Sequence, residues 1–568
     1  MSYSPLHPEQ MIYSRYGSYI SFTLRRQSFL VQSMYSGLGD ENTTLFELTV
    51  IDRAGDEIPF EIQMYPDHTR LESATGTVAI CIDSQDGVRF RGAGVGLRLT
   101  RETANRQFDN ALSPDGVRWE VNAYDSKIKA GLRAFRGTLN VHAPWNRVHS
   151  DDIVADFMPD DDDGFEAELC LFHGVWHPQD DAGERDFDAC VAEARQAFES
   201  WLDTTLPVPE QWQQGRRVAA YTNWSAVLAP YGYFQRPAML MSKNWMNKVW
   251  SWDHCFNALS LVEQDPSLAW DQFVIFFDHQ DAEGAIPDHL TDASRSYRFY
   301  KPPIHGWTLR QLMAYPDVVT ETRLSKIYEP LSRWTAWWLT YRDDDYDGIP
   351  QYNHGNESGW DNGTVFGENV PVESPDLSAY LVIQMDVLAE VAERLGNSSD
   401  ATAWRERADA LCERMIAHFW DGSQFVAKHA NSHEVVSGDS SLVFMPLVLG
   451  ERLPEAMRAS LIENLQRFIT PHGIASEHPE SPLYEADGYW RGPIWAPSTY
   501  LLVDGLLACG ERTLALDVSR RFCDMAQRSG MAENYDALTG ESLRDRAYTW
   551  TASVFLLLGH LLLKEGTE

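Results

Sequence analysis

The feature that most constrains this 568-residue chain is a change of hydrophobic period about one third of the way along. Before it, apolar and polar residues alternate, as in YISFTL (19–24), LFELTVI (45–51), FEIQMY (60–65), VAICI (78–82), RWEVNAY (118–124) and EAELCLF (166–172). Period two sends successive side chains to opposite faces of a strand, and turn material such as DSQDG and SPDG separates the runs. Many short strands with no helix between them can bury their apolar faces only against another sheet. That predicts a β-sandwich over residues 1–184. At RDFDACVAEARQAFESWL (185–202) the spacing becomes helical, and LPVPE (206–210) interrupts it, so 185–209 reads as a linker helix and linker.

From 210 to 568 the periodic segments are helical. Candidate helices cover 210–228, 252–263, 267–279, 306–316, 321–342, 376–395, 400–419, 440–450, 454–468, 495–509, 511–529 and 546–564. Stretches such as LSAYLVIQMDVLAEVAERL and RAYTWTASVFLLLGHLLL carry apolar stripes broad enough to be buried on more than one side. Twelve helices make six pairs, and no repeat of fixed period marks a solenoid. A closed double ring, an (α/α)6 barrel, is the expected architecture of this second domain.

Charge removes several function classes. With 83 acidic against 47 basic residues the formal net charge is −36, which repels phosphate backbones and anionic bilayers. Nucleic acid and membrane are therefore not expected partners. No run of about 18 apolar residues appears, and MSYSPLHPEQ lacks the basic and apolar regions of a secretory leader, so a cytoplasmic location is expected. The seven scattered cysteines have no C-x-x-C spacing and read as reduced thiols.

Chemistry-bearing residues gather in the loops between predicted helices: NWMNKVWSWDHCF (244–256), GAIPDHL (284–290), YKPPIHGW (300–307), YNHGNESGWDNGT (352–364), YWRGPIW (489–495) and AENYDALTGES (532–542). Sugars present flat C–H faces rimmed by hydroxyls, and aromatic plates mixed with carboxylates, amides and guanidinium groups suit them. Glycosidic cleavage needs a protonated carboxylic acid at the leaving oxygen and an ionised carboxylate across the ring. Asp361 lies beside Trp360, an aromatic able to desolvate it. Glu533 lies beside Asn534 and Tyr535, whose polar groups could steer a water.

These segments resemble glycoside hydrolase family 63 and its trehalase and glucoamylase relatives. The match runs in family order through WSWDHCF, GAIPDHL, KPPIHGW, DGIPQYNHGNESGWDN, DGYWRGPIW and ENYDALTGE, over about residues 205–568. The resemblance implies an (α/α)6 barrel with an N-terminal β-sandwich, inversion at the anomeric carbon, and removal of a terminal α-linked sugar, usually glucose. It implies Asp361 as general acid and Glu533 as general base. Asp253 and Arg491 then look like sugar-hydroxyl contacts flanked by Trp250, Trp252, Trp490 and Trp495, with Trp307, Trp360 and Tyr535 as further substrate-binding residues. Lys301 stands where relatives commonly have Gln, and a cation there would favour an anionic aglycone such as glycerate if that loop meets substrate.

Rival readings are a glycoside phosphorylase on the same architecture, which would not need Glu533 as base, and a catalytically dead sugar-binding protein, which would need neither carboxylate. The expected partner is a small carbohydrate, and a homo-oligomer is compatible with the sequence. No cofactor is required for this chemistry. Calcium is the one metal suggested, because DDDYDG (343–348) opens like a calcium loop, although its twelfth position is His354 rather than Glu.

Overall fold

The computed structural model describes residues 6–37, 43–103, 106–177, 185–367 and 370–566. They divide into two compact units: Met1–Thr204 with Ala220–Lys248 and Thr291–Ser294, and Thr205–Ala219 with Val249–Leu290 and Arg295–Glu568.

The first unit is built on two antiparallel sheets. One runs Tyr13–Ser14, Ile20–Arg25, Ser28–Ser33, Thr44–Ile51, Gly96–Glu102, Asp152–Met158 and Thr138–His142, with Glu57–Ile58 also paired to Thr44–Ile51. The other runs Asn110–Leu112, Trp119–Ala123, Ile128–Arg136, Gly164–Phe172, Gly87–Ala93, Thr77–Ile82, Thr69–Ser73 and Phe60–Met64. Every run with period-two alternation quoted above lies in one of these strands. The sheets face each other through the fully buried Phe157, whose ring lies 6.0 Å from Phe90 and 6.1 Å from Phe165 on the opposite sheet. The sequence GAGVG (92–96) carries the chain from Gly87–Ala93 in one sheet to Gly96–Glu102 in the other. The helix Phe187–Thr204 follows, burying Phe187, Cys190, Ala194, Phe198 and Trp201 at helical spacing.

Each helix predicted from 210 to 568 is present, one of them as a 3₁₀ helix (Ser441–Arg452) that contains Pro446, and all lie in the second unit except Gln213–Ala226, whose residues from Ala220 on belong to the first. Six helices form an inner ring: Asp253–Ser260, His305–Leu312, Pro375–Arg394, Ser441–Arg452, Ala496–Ala508 and Thr549–Glu565. Each touches the next, and the last returns to the first, so the ring closes. Their composition explains their place. Asp253–Ser260 is buried at every position, and Pro375–Arg394 at nearly every one, which a helix tolerates only when neighbours surround it. The helices between them in sequence are one-sided. Arg512–Ser529 buries Ala515, Val518, Ser519, Phe522, Cys523, Met525 and Ala526 and leaves its charged residues outward. This alternation of inner and outer helices is the expected (α/α)6 arrangement. Because an outer helix returns the chain each time, the inner helices run the same way and their N-termini share one end. No described helix is long and apolar enough to cross a membrane.

Candidate active site

Five of the six chemistry-bearing loops precede or enter an inner helix, three of them directly and those bearing Asp361 and Glu533 through a further connecting segment. Asp253 is the first residue of Asp253–Ser260, Lys301 precedes His305–Leu312, Asp361 precedes Pro375–Arg394, the segment Trp490–Trp495 precedes Ala496–Ala508, and Glu533 precedes Thr549–Glu565. A helix N-terminus carries unpaired N–H groups and the positive end of the helix dipole, so the ring gathers favourable sites for carboxylates and polar ligands at one end. Short sheets fix the loops. Trp250 pairs with His289, Gln351 with Glu373, and Trp495 with Asn534, which places Glu533 beside the tryptophan segment.

Three carboxylates converge. The phenol of half-buried Tyr489, its proton held tightly by desolvation, feels the negative charges of Asp361, Glu533 and Asp253 together. Asp253 is nearly inaccessible; burial, offset in part by Lys301 and reinforced by Asp361 and Asp288, pushes its carboxyl up to about 8. Glu533 is 4% exposed, and burial, then the charge of Asp545, pushes it up to about 8 against the opposing pull of Arg544. Asp361 differs: its side chain is 28% exposed and opens onto a cleft of about 770 Å³ lined also by His354, Asn362, Thr364, Phe366 and Arg491.

The tryptophans of the same loops pack on one another. The Trp490 and Trp495 rings stack at 3.9 Å, Trp360 lies 4.7 Å from Trp490, and Trp252 lies 6.2 Å from Trp490 and 6.0 Å from Trp550. Gly359 has φ +77°, and a Cβ there would lie 2.6 Å from the Trp252 indole, so the loop bearing Asp361 reaches its position only because this residue has no side chain. Asn362 ties the same loop to its neighbour: its Nδ2 donates to Gly488 O (3.0 Å) and its Oδ1 accepts from Trp490 N–H (2.9 Å).

Several candidate residues sit differently from the sequence expectation. Lys301, expected to favour an anionic aglycone if its loop meets substrate, is turned inward. It is 4% exposed, its Nζ donates to Asn356 O (2.7 Å) and Oδ1 (2.5 Å), and it lies 3.6 Å from Asp361 and 3.8 Å from Asp288. Its donors already have protein acceptors, whereas Arg491, paired at 2.7 Å with Glu485, lines the cleft. Trp307 donates from its indole to Asp504 (2.8 Å) and packs on Phe256 and Tyr500, inside the barrel wall. The Tyr535 hydroxyl donates to Gly530 O (2.5 Å) and accepts from Ala532 N–H, so it pins its own turn rather than a water. Asn534 beside it is fully buried with neither amide atom hydrogen-bonded to protein. Trp250 is half-buried and lies 5.7 Å from His289. Sequence reasoning missed Tyr489, Asp288 and Asp545 as members of the site. All three lie in or next to the quoted segments, but nothing in their spacing distinguishes them.

Among the described residues, the clusters with metal-ligand spacing include none of these three carboxylates: His254 and Cys255, which directly follow Asp253, with His305 on the next inner helix, and Asp345, Asp347, Glu373, His418 and His433.

Comparison with known proteins identifies the family and the fold. Residues 246–551 match the family described as mannosylglycerate hydrolase MGH1-like glycoside hydrolase domain, more than half of the chain. The mannosylglycerate hydrolase of Thermus thermophilus is 24% identical over 54% of this chain and 93% of that protein. The glucosylglycerate hydrolase of Mycolicibacterium hassiacum is 22% identical over 54% and 91%. A bacterial glucoamylase solved with acarbose shares the fold along the whole chain, with TM-score 0.63, 12% identity, and 99% and 95% of the two chains covered.

Proposed function

This glycoside hydrolase belongs to the mannosylglycerate hydrolase MGH1-like group of glycoside hydrolase family 63, and from that membership we propose that it is an inverting, exo-acting α-glycosidase. Its substrate is a small glycoside whose terminal α-linked hexose, glucose first among the candidates, leaves an anionic, glycerate-like aglycone. The carrying observation is the convergence of Asp253, Asp361 and Glu533 on one half-buried tyrosine, in the loops at one end of a closed helical ring.

Asp361 acts as general acid. Its carboxyl faces the open cleft, where the aglycone departs, and protonates the leaving oxygen. Glu533 acts as general base from the enclosed side, taking a proton from a water that the Asn534 amide orients. A base pushed up to about 8 is a stronger proton acceptor than an ordinary glutamate. Asp253, 3% exposed, hydrogen-bonds a sugar hydroxyl. Arg491 in the cleft supplies the charge that an anionic aglycone requires. The glycerate reading is favoured by the names of the two hydrolases above and by this guanidinium.

A panel of α-linked disaccharides, glucosylglycerate and mannosylglycerate, followed by proton NMR without added phosphate, tests the reading. Release of the β-anomer first, with a glycosyl-glycerate preferred, is expected. Initial α-anomer contradicts inversion, strict dependence on phosphate identifies a phosphorylase, and equal turnover of neutral disaccharides removes the anionic aglycone.

A further inference from the structure

The turn Asp343–Gly348 closes the helix Glu321–Tyr341 and leads into the strand Gln351–Tyr352. There, carboxylate oxygens of three residues crowd one imidazole nitrogen. Nε2 of His433 lies 3.0 Å from Asp345 Oδ2, 3.6 Å from Asp347 Oδ2 and 3.7 Å from Glu373 Oε1. A ring nitrogen carries at most one proton and can satisfy one of these oxygens, not three. Glu373 makes the imbalance acute: it is fully buried and its Oε1 accepts no hydrogen bond from protein, while its Oε2 takes one from His418 Nε2 at 2.7 Å. His418 Nδ1 also stands 3.9 Å from Asp347 Oδ2. A buried carboxylate with a bare oxygen is costly unless a cation neutralises it.

The geometry suits such a cation. One donor atom each from Asp345, Asp347, Glu373 and His433 all lie within 4.8 Å of one another. Ligand atoms that share an ion at about 2.1 Å stand roughly 3–4 Å apart, the separations seen around His433. We propose that Asp345, Asp347, Glu373 and His433 bind one divalent transition-metal ion of the zinc or manganese class, with His418 orienting Glu373. An imidazole among carboxylates selects this class over calcium and magnesium, which take all-oxygen shells. The ligands come from three segments drawn together by the small sheet of Gln351–Tyr352, Val372–Glu373 and Lys428–His429. The chain between its first two strands carries Asp361, so the ion ties the two ends of that loop. The site stands on its own ligands and does not depend on the glycosidase reading.

The test uses untagged full-length protein stripped with a chelator. Calorimetric titration with zinc or manganese chloride should give one equivalent bound and a melting temperature raised by several degrees. His433→Ala, a half-exposed position whose loss the fold tolerates, should weaken binding at least about tenfold, and Glu373→Gln should do the same. Absence of stoichiometric binding to the stripped wild type overturns the proposal. So does His433→Ala binding as tightly as wild type, or calcium binding as tightly as zinc and manganese.

Discussion

At the scale of single residues, two carboxylates with different surroundings carry the proposed reaction. Asp361 faces a cleft, while Glu533 is enclosed with Asp545 and Arg544 acting on it in opposite senses. Asp361→Asn and Glu533→Gln should each lower kcat by at least about 100-fold with the fold intact, because positioned acid–base groups contribute on that order. Near-normal turnover in either variant removes that residue from the mechanism. Glu533 must be ionised to work, so activity falls as pH drops through its titration. The acidic limb of kcat/KM should therefore lie well above the ordinary glutamate range, toward about 8. Since Asp545 raises Glu533, Asp545→Asn should move that limb downward, and an unmoved limb assigns it to another group.

Among elements, the loop bearing Asp361 is held by contacts its own sequence does not make. Gly359 passes against the Trp252 indole, and Asn362 bonds to the backbone of Gly488 and Trp490. Gly359→Ala adds both a clash and an unfavourable φ, and should destabilise by about 1–3 kcal/mol with a loss of activity. A denaturation midpoint equal to wild type would show that the indole yields. The short sheets matter for the same reason: a two-residue pairing such as Trp495 with Asn534 sets which loops are neighbours, although strands this short carry no period to read.

For the whole molecule, burial of Asp253 and Glu533 couples function to stability. Both are raised by burial to about 8, so between the ordinary carboxylate range and about 8 the unfolded chain ionises them while the folded chain keeps their protons. Their contribution is full below that range and is lost as pH rises through it. Glu533→Gln cannot ionise, and should exceed wild-type stability by about 1 kcal/mol or more near pH 8, read from thermal melts across pH. A melting temperature at or below wild type across that range contradicts the burial argument. The net charge of −36 acts over longer distances: raising salt from about 10 mM to a few hundred millimolar shortens the Debye length about threefold or more and should raise the melting temperature. A fall would mean that specific ion pairs outweigh the general repulsion.

The two architectures and the chemistry-bearing segments were legible in the chain alone. Period two and period 3.6 are local, and Trp, Gly and carboxylate clusters such as ESGWDNG are visible without coordinates. The sequence did not foretell that the Trp307 indole is held by Asp504 and the Tyr535 hydroxyl by the Gly530 carbonyl, because a side chain that serves packing and one that serves a site look the same in sequence. Nor did it reveal that Lys301 is clamped by Asn356, 55 positions away, or that Tyr489 would face three carboxylates. Those facts belong to the tertiary structure alone. Closing six inner helices into a ring brings loops hundreds of residues apart to one end, and which side chains then meet depends on ring order and direction, which no local pattern encodes.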